Sequence, residues 1–409
     1  MTRRESIRKG LLLASLVLPN FSEGKTEDPI PMIKPFKVNI QEEILTDLKT
    51  RLKNTRWPDE IENAEWKLGT NLSYLKELTD YWLNKFDWRE IEKEINALPN
   101  FIADVDGYSI HFIHIKSKSK NPLPLILTHG WPGSFLEMLK IAPMLTGDLD
   151  FSFDLVIPSI PGFGFSPPSK KEGCNSRKVA GLWNELMHQL GYDRYGAQGG
   201  DIGAGISTYL GLMFPEKLIG VHLNYISGSY KPYLKEGAAL SEEERNFIQV
   251  ATTWTNKEGA YSHVHSTRPQ TLSYGLNDSP VGLCAWILEK FNNWSDHTGT
   301  VEQVFTKDEL LGNITLYWVT QSINSSIRIY NENSKNPLAF GKNDFVKVPV
   351  AFAHFPKELP TPPRQSVERG FNIQRWTKMP RGGHFAAMEQ PELLSKDVLT
   401  FFRDIIRNK

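Results

Sequence analysis

The sequence predicts an α/β protein: a mostly parallel sheet with helices on both faces, carrying a helical cap and an N-terminal helical arm. Short apolar runs at 123–128, 154–158, 218–225 and 345–355 alternate with segments of helical period, the pattern of a doubly wound parallel sheet. A glycine-rich stretch, Tyr195-Gly-Ala-Gln-Gly-Gly-Asp201-Ile-Gly-Ala-Gly205, joins one such run to a helix. Between 227 and 341 the strand pattern stops, and helical spacing with many aromatics takes over.

Composition narrows the class further. With 409 residues the chain can bury a large α/β core and still carry an insertion. Lys+Arg and Asp+Glu balance at 47 each, so no net field calls for nucleic acid or an anionic membrane as partner. An aromatic content of 11%, with 11 Trp, suits an apolar pocket. Cys174 and Cys284 lie far apart and outside any CxxC spacing, which argues against a zinc site or a disulfide framework; two free structural thiols are expected.

Residues 1–28 read as an export-signal-like segment: paired Arg3 and Arg4, further basic residues, then an apolar run at 11–18. If it is a signal, the chain is periplasmic or secreted; otherwise it is cytoplasmic. A membrane span would need about 20 apolar residues, roughly twice this run, so none is expected.

A proline-rich linker follows, and 33–100 form the helical arm. Ile44, Leu45, Leu48 and Leu52 make one apolar stripe; Leu72, Leu75, Leu78, Tyr81 and Trp82 make another. Both need a larger body to pack on. The first part of the core spans 101–227. It opens with an alternating stretch at 101–115 whose Asp106-Gly107 is a hairpin turn. The buried strand 123–128 runs into His129-Gly-Trp-Pro-Gly133, and 154–158 repeats the pattern. A helix at 179–190 precedes a strand at 192–197 and a helix at 206–214. The cap takes 228–344. The second part of the core, 345–409, holds strands at 345–355 and 371–378 and a terminal helix at 391–406.

The glycine cluster around Asp201 has the layout of a nucleophile elbow, a tight strand-to-helix turn that lifts one side chain clear of the sheet. Its plainer alternative is a helix N-cap. The lifted residue is an aspartate, and no GxSxG occurs in the chain. A serine that opened an epoxide or displaced a halide would end as an ether; a carboxylate ends as an ester that water can hydrolyse. The base expected is His384, late in the chain in Arg381-Gly-Gly-His384. Its orienting acid is Glu358, just past the strand after the cap, with Asp344 disfavoured because it precedes that strand. Oxyanion donors would be the backbone N–H groups of Ile202 and Trp131, since Pro132 has none. The pairs His111/His114 and His263/His265 lack a third ligand nearby and read as structural, so no metal is called for.

Together, His129-Gly-Trp-Pro-Gly-Ser-Phe135, Gly199-Gly-Asp201, Leu276-Asn-Asp-Ser-Pro-Val-Gly282 and Arg381-Gly-Gly-His-Phe-Ala-Ala-Met-Glu389 resemble the microsomal-type epoxide hydrolases of the α/β-hydrolase fold. The resemblance runs from about residue 33 to the C-terminus and includes that family's N-terminal domain. It implies two cap tyrosines that donate to the epoxide oxygen, at Tyr261 and Tyr330, with Tyr317 an alternative. Ile202 stands where the family commonly has Trp, which implies a more open pocket wall. It also implies no cofactor, and a small apolar epoxide and water as the partners; a homo-oligomer is compatible with it. The competing readings are a hydrolytic dehalogenase with the same Asp nucleophile and a non-catalytic binding protein of the same fold.

Overall fold

The computed structural model describes residues 33–148 and 150–407. The expected export-like segment lies outside them. The arm begins with β1 (Lys34–Pro35) and contains α1 (Glu42–Lys53), α2 (Leu72–Asn84) and α3 (Trp88–Asn96). Leu45, Leu48 and Leu52 of α1 and Leu75, Leu78 and Trp82 of α2 are buried. Ile44, Leu72 and Tyr81 border those stripes rather than joining them, and Ile44 is exposed. α3 went unread in the sequence because charge dominates it; Asp87 caps its start by accepting from the Arg89 amide.

The core continues with β2 (Asn100–Val105), β3 (Tyr108–Ile115), β4 (Leu123–Thr128), α4 (Ala142–Thr146), β5 (Phe153–Pro158), α5 (Ser176–Gln189), β6 (Tyr195–Gly199), α6 (Asp201–Met213) and β7 (Leu218–Leu223). Six helices follow: α7 (Glu242–Glu258), α8 (Ala260–Thr267), α9 (Pro269–Asp278), α10 (Pro280–Trp294), α11 (Lys307–Val319) and α12 (Ile323–Lys335). The chain then returns through β8 (Val346–His354), α13 (Arg364–Glu368), β9 (Phe371–Lys378), α14 (Ala386–Glu389) and α15 (Pro391–Arg407).

The strands form one sheet in the order β1-β2-β3-β5-β4-β6-β7-β8-β9. Pairings from β1 to β5 are antiparallel, and from β5 through β9 parallel. In the β2–β3 hairpin, Asp106 and Gly107 both take positive φ (51° and 77°), the left-handed pair a two-residue turn requires. β4, β5, β6 and β7 are almost entirely buried, as parallel strands covered on both faces must be.

The sequence placed the helix after the elbow at 206–214; it starts at Asp201 instead. Glycines at 203 and 205 weaken the sequence signal for helix, but tight packing, not propensity, decides here. A Cβ at Gly203 would overlap the Thr128 carbonyl, so only glycine lets α6 approach β4 this closely.

The arm is pinned to the helical block by Arg51–Asp278 (2.7 Å), Lys307–Glu77 (2.5 Å) and the Tyr81–Asp308 hydrogen bond (3.1 Å). Among the described residues no helix is long and apolar enough to cross a membrane. Cys174 and Cys284 are both free.

Candidate active site

Four strands deliver the site from their carboxyl ends, where open α/β sheets bind ligands. β4 ends in the His129–Gly133 loop, and β6 beside it ends in the Asp201 turn; Thr128 and Gly199 are register partners. β8 leads to Glu358, and β9 to the loop that holds His384.

Asp201 has φ 46°, a left-handed value that costs a non-glycine residue energy. The turn raises its carboxylate at the positive end of α6. The Trp131 N–H donates to Oδ1 at 2.8 Å. Gly130 lies so close beneath that a Cβ there would overlap the carboxylate. The Ile202 amide, expected as a second donor, makes no hydrogen bond to it among the described residues.

His384 faces Asp201 from the other side, Nε2 to Oδ2 at 3.4 Å, while its Nδ1 is 2.6 Å from Glu358 Oε1. Both side chains of that second pair are buried. Burial opposes a charged imidazole, but the Glu358 charge and then the Asp201 carboxylate outweigh it and hold His384 well above the ordinary histidine range. The competitor Asp344 precedes β8 and caps the Gly341 amide at 2.7 Å, at the opposite end of the strand.

One contributor was not read from the sequence. Glu389 accepts from the amides of Gly383 (3.0 Å), Phe385 (2.9 Å) and Asp296 (2.8 Å), clamping the loop on both sides of His384. Its position five residues after the histidine was the only available signal.

Over this pair stands an aromatic wall from the cap. Tyr261 of α8 stacks on Trp131 at 5.4 Å, and Tyr330 of α12 meets Trp131 edge-on at 5.9 Å. The two tyrosine rings are 5.9 Å apart. Trp294 bridges Tyr261 (5.1 Å) and His384 (5.2 Å), and Tyr225 packs against His384 at 5.7 Å. Burial, with the Asp201 charge added to it, raises the pKa of both cap tyrosines, so both keep their protons at neutral pH. Tyr317, the alternative, donates instead to the Gly133 carbonyl at 2.7 Å and so supports the β4 loop.

Of the histidine pairs, His111 is buried between Ser159 Oγ (2.9 Å) and Asn100 Oδ1 (3.1 Å), and His114 contacts the Tyr192 hydroxyl (2.9 Å). His263 is exposed. His265 sits inside the aromatic wall, 4.6 Å from Trp131 and 5.0 Å from Tyr330, and accepts from Trp286 Nε1 at 3.1 Å. Burial pushes it down to about 3, so it stays neutral. Among the described residues no group of three or more His, Cys, Asp and Glu side chains could hold a metal ion.

A carboxylate on a strained turn, backed by a His–Glu pair at the carboxyl ends of a parallel sheet, defines a hydrolase of the α/β-hydrolase class. Residues 33–138 match the family model for the epoxide hydrolase N terminus, and 124–256 match that for the alpha/beta hydrolase fold. Epoxide hydrolase 1 of Oryctolagus cuniculus is 36% identical over 444 residues, covering 96% of this chain and 98% of that one. The crystal structure of juvenile hormone epoxide hydrolase from the silkworm Bombyx mori superposes with a TM-score of 0.83 at 31% identity, over 92% and 95% of the two chains. The structure of Aspergillus niger epoxide hydrolase gives 0.80 at 32%, over 91% and 97%. The chain belongs to the epoxide hydrolase family, and it is a hydrolase of epoxides.

Proposed function

We propose that this enzyme converts an apolar epoxide to a vicinal diol in two steps, with Asp201 as nucleophile, His384 as base and Glu358 holding the imidazole. In the first step an Asp201 oxygen bonds an oxirane carbon, the carbon–oxygen bond of the ring breaks, and Tyr261 or Tyr330 protonates the released oxygen. The tyrosinate then regains a proton by way of solvent as the His384 imidazolium gives one up, which leaves the imidazole neutral for the second step. In the second, His384 takes a proton from water, which attacks the carboxyl carbon of the ester. The Trp131 N–H meets the charge that develops there, with the Ile202 N–H as the second donor.

The observation that carries this reading is the placing of His384 Nε2 3.4 Å from Asp201 while Nδ1 is engaged by Glu358 at 2.6 Å. Alkylation supports the sequence of events. It removes the Asp201 charge that helps to hold the proton on His384, so forming the ester favours the neutral imidazole that the second step needs. The aromatic wall favours an apolar substrate. The division into an arm (33–100), a two-part core (101–227 and 345–409) and a cap (228–344) belongs to the same proposal, as does export directed by 1–28.

The test is intact mass after mixing His384→Gln with aryl and alkyl epoxides, and separately with haloalkanes and haloacids. An epoxide adduct mapped to Asp201 is expected. An adduct from halogenated compounds alone would replace this reading with dehalogenation.

A further inference from the structure

Glu137 lies on the short 3-10 helix Phe135–Leu139, directly after the loop that supplies the Trp131 N–H. No step described above uses it. Its carboxyl folds back over Gly133 so closely that a Cβ at that position would overlap it. The side chain also lines a cavity that Asp201 and His384 line.

Under Asp201 is a cavity of about 20 Å³ whose wall includes Glu137, Gln198, Gly200, Asp201, Asn224 and His384. One water needs roughly 10–15 Å³ of such space and two to four polar partners, so the cavity suits a single water and excludes an organic substrate. The polar partners are in place. Gln198 is fully buried and gives its Nε2 to Asn224 Oδ1 at 2.8 Å, which leaves its Oε1 without a donor. A buried acceptor in that condition is costly unless something donates to it. His384 offers Nε2, because Nδ1 is held by Glu358. Glu137 completes the set.

We propose that Glu137 holds the hydrolytic water in this cavity, beside the Asp201 carboxyl group and within hydrogen-bonding reach of His384 Nε2. The inference rests on the ester mechanism above. The water oxygen bonds the ester carbonyl carbon, one water proton passes to Nε2, and the carbonyl electron pair moves to oxygen. Collapse breaks the acyl–oxygen bond to the alkyl group, the imidazolium returns its proton to the departing alkoxide, and the Asp201 acid loses its proton to solvent. Glu137 neither gains nor loses a proton overall; it fixes where the water stands.

The charges around it agree with that part. Burial pushes the Glu137 carboxyl up to about 8, His384 draws it down and Asp201 raises it. While Asp201 is ionised, Glu137 is a neutral donor at neutral pH. Once Asp201 is an ester, one of the influences that kept Glu137 protonated is gone, and it accepts more readily from a water whose other proton is leaving for His384.

The experiment is rapid-quench intact mass with styrene oxide on the full chain, comparing the wild type with Glu137→Leu, Glu137→Gln and His384→Gln, each first shown to have the wild-type circular dichroism spectrum. In Glu137→Leu the ester should form within about threefold of the wild-type rate but hydrolyse about 10²-fold more slowly, so the adduct accumulates. Glu137→Gln keeps a donor and an acceptor and should lose about tenfold in hydrolysis alone. Hydrolysis at the wild-type rate in Glu137→Leu and Glu137→Gln, or an equal loss in both steps, would overturn the assignment while His384→Gln still traps the ester. If Glu137→Leu does not fold, the step-specific loss in Glu137→Gln decides. No adduct in any variant overturns the ester mechanism and this inference with it.

Discussion

Nε2 of His384 lies 3.4 Å from Oδ2 of Asp201, too long for a strong hydrogen bond and short enough for the two charges to couple strongly. The nucleophile therefore helps to set the protonation state of the base. Burial alone would lower the His384 pKa; Glu358 and Asp201 raise it. Asp201→Asn removes one of those carboxylates and keeps the shape. The imidazole titration of His384, followed by ¹⁵N NMR of selectively labelled protein, should move to lower pH in this variant and move further in Glu358→Gln. An unchanged midpoint in Asp201→Asn would mean that the two groups do not communicate.

Tyr261 and Tyr330 reach the site from different helices, α8 and α12, and meet over Trp131. Each phenol is held protonated by burial and by Asp201. Replacing either by Phe should slow ester formation about 10²-fold and leave hydrolysis of a preformed ester within about threefold. Pre-steady-state quench separates the two rates. A loss confined to hydrolysis would remove these tyrosines from the first step.

Legibility from sequence tracked local pattern. Parallel strands such as β4 (Leu123–Thr128) show as short apolar runs bounded by turn residues, so their positions could be read off directly. Asp106-Gly107 marked its hairpin by the same local logic. The start of α6 did not, because a helix opening on a strained aspartate between glycines owes its existence to contact with β4 rather than to propensity. Around the site, glycine-flanked Asp201 and His384 stood out by local context. Glu389 and Glu137 are single carboxylates on apolar helical stretches, and only three-dimensional packing reveals that one clamps a loop and the other faces a cavity.

Gly130 offers a steric test. A methyl group there would overlap the Asp201 carboxylate and force it away from the Trp131 N–H that now lies at 2.8 Å. Gly130→Ala should lose roughly 10²–10³-fold in kcat, the range seen when an oxyanion donor is removed. Full activity in the substituted enzyme would show that the carboxylate does not need that position.

The clamp at Glu389 makes a different demand. Three amides donate to one carboxylate, two of them flanking His384. Glu389→Ala leaves those buried N–H groups unpaired and frees the loop. The expected signature is slower ester hydrolysis with ester formation largely spared, and a combined loss with His384→Gln that falls well short of the product of the two single losses, because the two changes act on one unit. Fully additive losses would separate the clamp from the base.

Asp397 tests the scaffold apart from the chemistry. It sits on α15 and is bonded by His222 of β7 (3.1 Å) and by Arg375 (2.7 Å) and Thr377 (2.8 Å) of β9, tying the last helix to the sheet. Burial alone would raise its pKa, but these partners bring it down to about 2. A carboxyl whose folded pKa lies below its unfolded value near ~3.9 stabilises the fold above that value, and the contribution fades as pH falls towards the folded pKa. The shift from 3.8 to about 2 corresponds to about 2 kcal/mol at neutral pH. Asp397→Asn should therefore lose about 2 kcal/mol in urea unfolding at pH 7, and the gap to the wild type should narrow between about pH 4 and 2. Because no atom of Asp397 approaches Asp201 or His384 within hydrogen-bonding distance, kcat should hold while the variant remains folded. A stability difference that stays constant down to pH 2 would show that ionisation of Asp397 is not what ties α15 to the sheet.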